Sequence, residues 1–329
     1  MQLNVIKKSH QVFTQIKENK FRIKKIFFGT KLNDGLVGKL ATYTVLLIFG
    51  FVFLYPLLYM LSVSFMSSLD LADSTIEWIP SSLYLSNYQL TWRALRLPNA
   101  YVTTILVAGS STLALITSSA LIGYGLARFE FPLKKLIFAL LLFTYLAPKM
   151  LFFIPRYQIF TSLGLSGNMG SLLLPAFLGQ GEQAALFILI FYQFFKMIPI
   201  ALEEAAFLDG AGAFKTFYKI ALPMVRPAFI IVGIYAFALY WNETLITSFY
   251  LGGNIQTVPM LLNSLEASFS NVVNSTSGIG DPSVNPNLSY TEAIVFSGTI
   301  LSILPLVIMY LFVQKWFVKS IDQSGITGE

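Results

Sequence analysis

The sequence predicts an all-α protein, a polytopic membrane bundle of six transmembrane helices. Composition is the first observation behind that expectation. Of 329 residues, 55% are hydrophobic and 12% charged, more apolar surface than a soluble core can hide. The second is the pattern of apolar runs, near 41–65, 102–126, 136–154, 184–200, 227–250 and 293–317. Each reaches the roughly 17–25 residues that cross the hydrocarbon of a bilayer. The third is the placement of positive charge between those runs, which sets orientation as well as count.

Residues 1–40 form a predicted basic tail before a six-span domain over 41–325. Lys7, Lys8, Lys17, Lys20, Arg22, Lys24, Lys25, Lys31 and Lys39 face only Glu18 and Asp34 there. Lying beside the first run, these cations read as membrane-surface and topology charges, not as a nucleic-acid footprint. Phe13, Ile16, Ile23 and Phe27 are spaced to line one face of an interfacial helix, and a solvated basic arm is the equal alternative. The first run starts too late for a secretory signal and lacks a small-residue cleavage pattern. Gly35, Gly38 and Lys39 resemble part of a phosphate loop. Asn33 stands where that loop needs Gly, and Leu40 where it needs Ser or Thr. No ATP or other cofactor site is therefore predicted in this chain.

Residues 66–100, with Asp70, Asp73, Glu77 and several turn formers, read as an exterior loop. The second run is rich in small residues (Gly109, Ser110, Ser111, Ala114, Thr117, Ser118, Ser119, Ala120, Gly123 and Gly125), which let helices pack closely in a membrane. A helix beside a solute path is the other reading. Arg128, Lys134 and Lys135 follow it. Ser171 to Leu178 is a shorter apolar stretch broken by Pro175, predicted to be re-entrant or interfacial. Lys215, Lys219 and Arg226 lie between the fourth and fifth runs, and Lys315 and Lys319 follow the sixth. The segment 251–292 has no Lys or Arg. The bias toward inner positive charge puts both termini and residues 199–226 in the cytoplasm, and 251–292 outside.

Catalytic and metal chemistry find little material. The chain has no Cys, and its single histidine, His10, sits in the basic tail. That removes disulfides, thiolate sites and Ser-His-Asp or His-metal centres. No catalytic or metal-ligating residue is predicted, and an intramembrane enzyme is a poor reading.

One polar interruption stands out, Leu202 to Pro223, between the fourth and fifth runs. Glu203, Glu204, Asp209, Lys215 and Lys219 put five charges there. At roughly 2.5–3.5 kcal/mol each in the bilayer centre, they keep the stretch in water. Leu202, Ala205, Ala206 and Asp209 recur at helical spacing, and Gly210 is suited to end that helix in a left-handed turn. A second helix follows, with Phe214, Phe217 and Tyr218 on one side, and ends at Pro223. Two short helices at a Gly turn suit a plug for a partner's groove; a surface loop that binds nothing is the plain alternative.

The spacing of Glu204, Ala205 and Ala206, then Asp209-Gly210, then Ile220, Leu222 and Pro223, resembles the EAA signature of importer-type ABC transporter permeases. The likeness runs from about Thr42 to Gly325. It includes Ser118 to Ala120 and Gly123 to Phe129 at the end of the second run, Ile154 to Tyr157 with Leu163 to Leu165 after the third, and Tyr240 to Glu243 in the fifth. Gln314 to Lys319 resembles the usual basic-aromatic ending. The layout is similar to the second permease subunit of maltose-type oligosaccharide importers, while residues 265–292 are longer and richer in Asn, Ser, Gly and Pro than that pattern.

The resemblance implies the type I ABC importer permease fold and a bacterial or archaeal cell membrane. It implies a second, homologous permease, two ATPase subunits holding ATP and Mg, and an extracytoplasmic solute-binding protein delivering sugar. It also makes Glu204, Ala205, Ala206, Asp209, Gly210, Ile220, Leu222 and Pro223 the ATPase-coupling residues. Trp241, Asn242 and Glu243 are candidates for the substrate path. Glu243 lies about 24 Å along the helix from Pro227, and a carboxylate there must face the bundle interior or a wet cavity. Residues at i, i+1 and i+2 diverge by about 100°, so the three cannot share one pocket; a hydrogen bond between helices is the structural alternative. A secondary transporter, with Glu243 as a lone proton site, leaves the EAA loop without a role.

Overall fold

A computed structural model describes residues 35–275 and 289–325, which are mainly helical, with no strand among them. The basic tail up to residue 34, including His10, lies outside the described residues, as does much of the 265–292 segment. Contacts divide the chain into residues 1–63 with 77–79, and residues 64–76 with 80–329.

In the first unit, helix α1 (Leu36–Ser64) is apolar all round, and none of its most hydrophobic window is buried in the chain. Such a helix suits lipid or a partner subunit rather than a water-facing surface. Trp78 meets Tyr55 and Tyr59 edge-on, with ring centroids 4.9 and 5.8 Å away, and Ser62 donates its hydroxyl to the Trp78 carbonyl.

The second unit begins with α2 (Ser68–Ala72), closed by a reciprocal cap between Ser67 and Asp70. Burial raises the Asp70 pKa, but hydrogen bonds from Ser81 and Ser67 outweigh it and hold the carboxyl below its ordinary value. Helix α3 (Ser86–Ala94) follows, its buried Asn87 donating to the Ser64 and Met66 carbonyls at 3.0 and 2.8 Å. The predicted exterior loop thus contains two short helices, while residues 73–85 between them are non-helical and mostly exposed.

Helix α4 (Leu97–Arg128) starts earlier than the hydropathy run because its first turns bury against other protein rather than lipid. The remaining runs are broken. Helices α5 (Lys134–Leu146) and α6 (Met150–Ser162) bend by 103°, with Ala147 extended ahead of Pro148. Helix α7 (Gly170–Phe177) is the predicted short apolar element. Helices α8 (Ala184–Met197) and α9 (Ile200–Leu208) bend by 72°, with Ile198 extended ahead of Pro199. A residue preceding proline is pushed out of the helical region by the ring's Cδ, and that explains both breaks. Helices α10 (Ala213–Met224) and α11 (Arg226–Asn242) bend by 75°. The fifth run then breaks again, and α12 (Leu245–Leu251), α13 (Val258–Asn263), α14 (Leu265–Ser275) and α15 (Glu292–Gly325) complete the order. Three of these helices are long and apolar enough to cross a membrane alone, and the count reaches six if each bent pair is one span.

The core sits around α4. Phe187, Phe191 and Phe195, one face of α8, are fully buried against it, as are Ala228, Val232 and Ala236 of α11. Gly123 makes the approach possible: a Cβ there would lie 2.7 Å from Phe191 Cβ and 3.0 Å from the Tyr192 nitrogen. Close packing is therefore the use the structure makes of this small-residue helix. Polar groups tie the bundle across apolar surroundings. The Thr91 and Ser297 hydroxyls meet at 2.8 Å, Tyr101 donates to the Leu301 carbonyl at 2.6 Å, and Trp241 Nε1 donates to the Ser302 carbonyl at 3.2 Å.

Candidate functional site

The polar interruption folds as two short helices, α9 and α10, meeting at Gly210. Gly210 has φ +79°, the left-handed conformation that glycine enters without a Cβ penalty. Its N–H donates to the Phe207 carbonyl at 3.0 Å, and that of Ala211 donates to the Ala206 carbonyl at 2.9 Å. Those two bonds are the pair that closes a Schellman turn. The turn fixes the angle between α9 and α10, and with it the shape the loop presents.

The outer face of that shape is apolar. Leu208 is 89% exposed, Phe214 76% and Tyr218 66%. Glu204, Ala205 and Asp209 are exposed alongside them, and so is Pro223. Ala206 faces inward and is buried, while Ile220 and Leu222 are half-buried. The coupling set is thus divided between a surface that can meet a partner and positions that seat the loop. Phe217 departs from the expected aromatic face, being buried with its ring centroid 4.8 Å from Tyr124 and 6.1 Å from Phe195. Phe217 and Tyr218 are adjacent and point about 100° apart on a helix, so only one of them can share the exposed face of Phe214; a π-helical turn follows over Phe217–Ala221.

Two residues that seat the loop escaped the sequence reading. Arg128, at the end of α4, approaches Glu203 of α9 to 3.0 Å between Nε and Oε1, with side chains only 8% and 6% exposed. The contact is an ion pair by distance, not an aligned hydrogen bond. Arg128 Nη2 also donates to the Ile198 carbonyl at 2.7 Å, at the break before α9. One guanidinium therefore holds both the bend and the first turn of the loop to the central helix. The available signal was the Glu203-Glu204 pair on one short helix, whose neighbours must point in different directions. Just beyond the end of α4, the exposed Glu130 accepts from Lys134 at 2.8 Å; that bond and the Lys134 charge keep its carboxyl below the ordinary value.

At the other end of α11 the three candidates separate, as adjacency requires. Trp241 is 1% exposed and packs within the core, so it lines no surface of this chain. Asn242 is exposed, its Nδ2 donating to the Ala238 carbonyl at 2.8 Å. Glu243, half-buried, ends α11 in an extended conformation, and its Oε1 accepts from the Ile246 nitrogen at 2.7 Å. The carboxylate thus closes the first turn of α12, and this is why the fifth run is two helices. Nearby, Lys149 pairs with Glu182 at 2.7 Å, and the Glu182 N–H donates to the buried Tyr240 hydroxyl at 3.3 Å.

A family model described as the inner membrane component of binding-protein-dependent transport systems matches residues 119–323, α9 and α10 included. The chain belongs to this family. The permease is 27% identical over 293 residues to the probable ABC transporter permease YurM of Bacillus subtilis, covering 89% of this chain and 90% of that protein. It is also 27% identical over 258 residues to the melibiose/raffinose/stachyose import permease MelC of the same organism, covering 78% and 86%. A crystal structure of a bacterial ABC transporter that imports the acidic polysaccharide alginate shares its fold. The TM-score is 0.67 at 22% identity, over 85% of this chain and 96% of the matched one. Family membership makes this permease one membrane component of a multi-part importer, not a hydrolase.

Proposed function

We propose that this permease forms half of the translocation path of an ATP-driven sugar importer. In this reading α9 and α10 are the element that an ATPase subunit grips. The exposed Leu208, Phe214 and Tyr218, held at a fixed angle by Gly210, carry the reading, because an apolar plug in a water-facing segment suits a groove. The proposed partners are a second, homologous permease, two ATPase subunits with bound ATP and Mg, and an extracytoplasmic solute-binding protein. Sugar as cargo is supported by relatives such as MelC, and by the diacetylchitobiose permease NgcG of Streptomyces coelicolor. Closure of the ATPase pair would draw two such loops together and turn the attached helices as rigid bodies. Glu204, Ala205, Asp209, Gly210 and Pro223 would meet the ATPase, with Ala206, Ile220 and Leu222 seating the loop. Asn242 and Glu243 are the pathway candidates that reach a surface.

The proposed site is a bacterial or archaeal cell membrane, with both termini cytoplasmic. The chain lacks cysteine, so Gly212→Cys and Ser275→Cys each add a single thiol. A membrane-impermeant maleimide is expected to label position 275 in intact cells and position 212 only after the inner face is opened. Labelling of both from one side rejects the orientation. The transport reading is checked with the purified assembly: a transported glycan, delivered by the binding protein, should raise ATP hydrolysis and drive uptake. Uptake that persists without ATP and collapses with the proton gradient would favour a secondary transporter instead.

A further inference from the structure

We propose that a cleft beside the outer end of α11 is a subsite for one uncharged sugar ring of the transported glycan. The proposal rests on the sugar-import reading and adds a place and a charge class to it. The cleft is an open groove of about 270 Å³ between α12 and α13, lined by Thr244, Leu245, Ser248, Gln256, Met260 and Asn263. Small-molecule sites commonly run from about 300 to 1,000 Å³, so this groove takes about one ring, and the rest of a longer glycan would extend beyond it.

Its chemistry narrows the ligand. Four of the six lining side chains are neutral and polar, and the other two are apolar. The side chains of Thr244, Gln256 and Asn263 have no hydrogen-bond partner among the described residues. Each amide offers two donors and an acceptor, and each hydroxyl one donor and two acceptor lone pairs. Ser248 spends its donor on the Leu245 carbonyl at 2.9 Å, which leaves its oxygen free to accept. Leu245 and Met260 supply an apolar surface for the C–H face of a ring. Donors and acceptors in near balance around an apolar patch suit a polyhydroxy ligand.

Charge excludes the alternatives. No Lys or Arg lines the cleft, so a carboxylated or phosphorylated sugar would lose its water without gaining a cation. The nearest carboxylate in sequence, Glu243, is committed to the Ile246 nitrogen, and its charge further disfavours an anion. The walls are anchored separately. The Val258 nitrogen of α13 donates to the Thr104 hydroxyl of α4 at 2.9 Å, while the Tyr250 carbonyl of α12 accepts from the Gly167 nitrogen at 2.7 Å. The cleft is therefore held open by the fold and not by its own side chains.

The test uses the full transporter in proteoliposomes with its binding protein, and raffinose, maltotriose and trigalacturonate as probes. A neutral probe is expected to drive uptake. Gln256→Ala and Asn263→Ala should each lower that uptake about tenfold, the scale of one or two lost hydrogen bonds, with the partner permease co-purifying in full. Unchanged neutral uptake in the double variant, or uptake of trigalacturonate alone, overturns the subsite and leaves the sugar reading standing. Loss of the partner permease from the purified variants also overturns it, since the cleft would then be a contact between permeases. If no glycan stimulates the transporter while another solute does, the sugar reading falls and takes the subsite with it.

Discussion

Glu203→Gln is expected to destabilise the permease by about 3–5 kcal/mol, the usual cost of leaving one buried charge without its partner. Glutamine keeps the shape of the side chain and removes the negative charge, so Arg128 would remain as a cation in a site only 8% exposed. Arg128→Met should cost at least as much, because it also releases the Ile198 carbonyl. Removing both charges, with Arg128→Met and Glu203→Leu together, should recover part of the loss, since no ion then stays buried. Thermal unfolding of the detergent-purified permease gives the four corners of the cycle. Strictly additive losses would show that the two residues do not interact. The same variants report on mechanism. With α9 freed from α4, ATP hydrolysis should continue while solute uptake per ATP falls, and the double apolar variant should stay uncoupled if the tie itself transmits motion.

The helical class, the six apolar runs and the Gly turn were legible because each rests on local chemistry. Apolar run length, a small-residue face and a glycine between short helices need no knowledge of the rest of the chain. The breaks were harder to see. Pro148 and Pro199 sit inside runs whose hydropathy is continuous, so a window average passes over the residue that forces its predecessor out of the helix. The break at Glu243 has no proline to mark it. It depends on a carboxylate reaching three residues ahead to the Ile246 nitrogen, a contact that mean hydropathy does not register. Burial was the other limit. Glu203 and Glu204 are chemically identical neighbours, and only the position of Arg128, seventy-five residues away, decides which is hidden. Trp241 and Phe217 likewise read as surface candidates by type and spacing, and both are interior because α15 and Tyr124 lie against them.

Gly210→Val should abolish uptake while leaving the helices of the bundle inserted, and the geometry isolates the cause. A Cβ built on Gly210 meets nothing within 4 Å, so steric contact with the surroundings is not the obstacle. The obstacle is φ +79°, where a side chain costs roughly 1–2 kcal/mol and a branched one is a true outlier. Valine relieves that strain by rotating the backbone. Rotation breaks the two turn bonds from Gly210 and Ala211 and re-aims α9 against α10. The exposed Leu208 and Phe214 would then no longer present one surface. Since residues 207–210 and 212–215 around the turn are exposed, while the loop is seated on the core through Arg128, Phe217, Ala221 and Leu222 on either side of it, the bundle should tolerate the change. ATPase subunits are expected to co-purify poorly, or to hydrolyse ATP without transport. Gly210→Asn provides the control, because asparagine enters the left-handed region more readily than other side chains, and it should keep most of the uptake. Glu204→Lys, on the exposed side of α9, tests the surface without touching the turn, and should weaken ATPase retention by reversing a charge at the contact. Wild-type uptake and retention in both Gly210→Val and Glu204→Lys would remove α9 and α10 from the coupling mechanism.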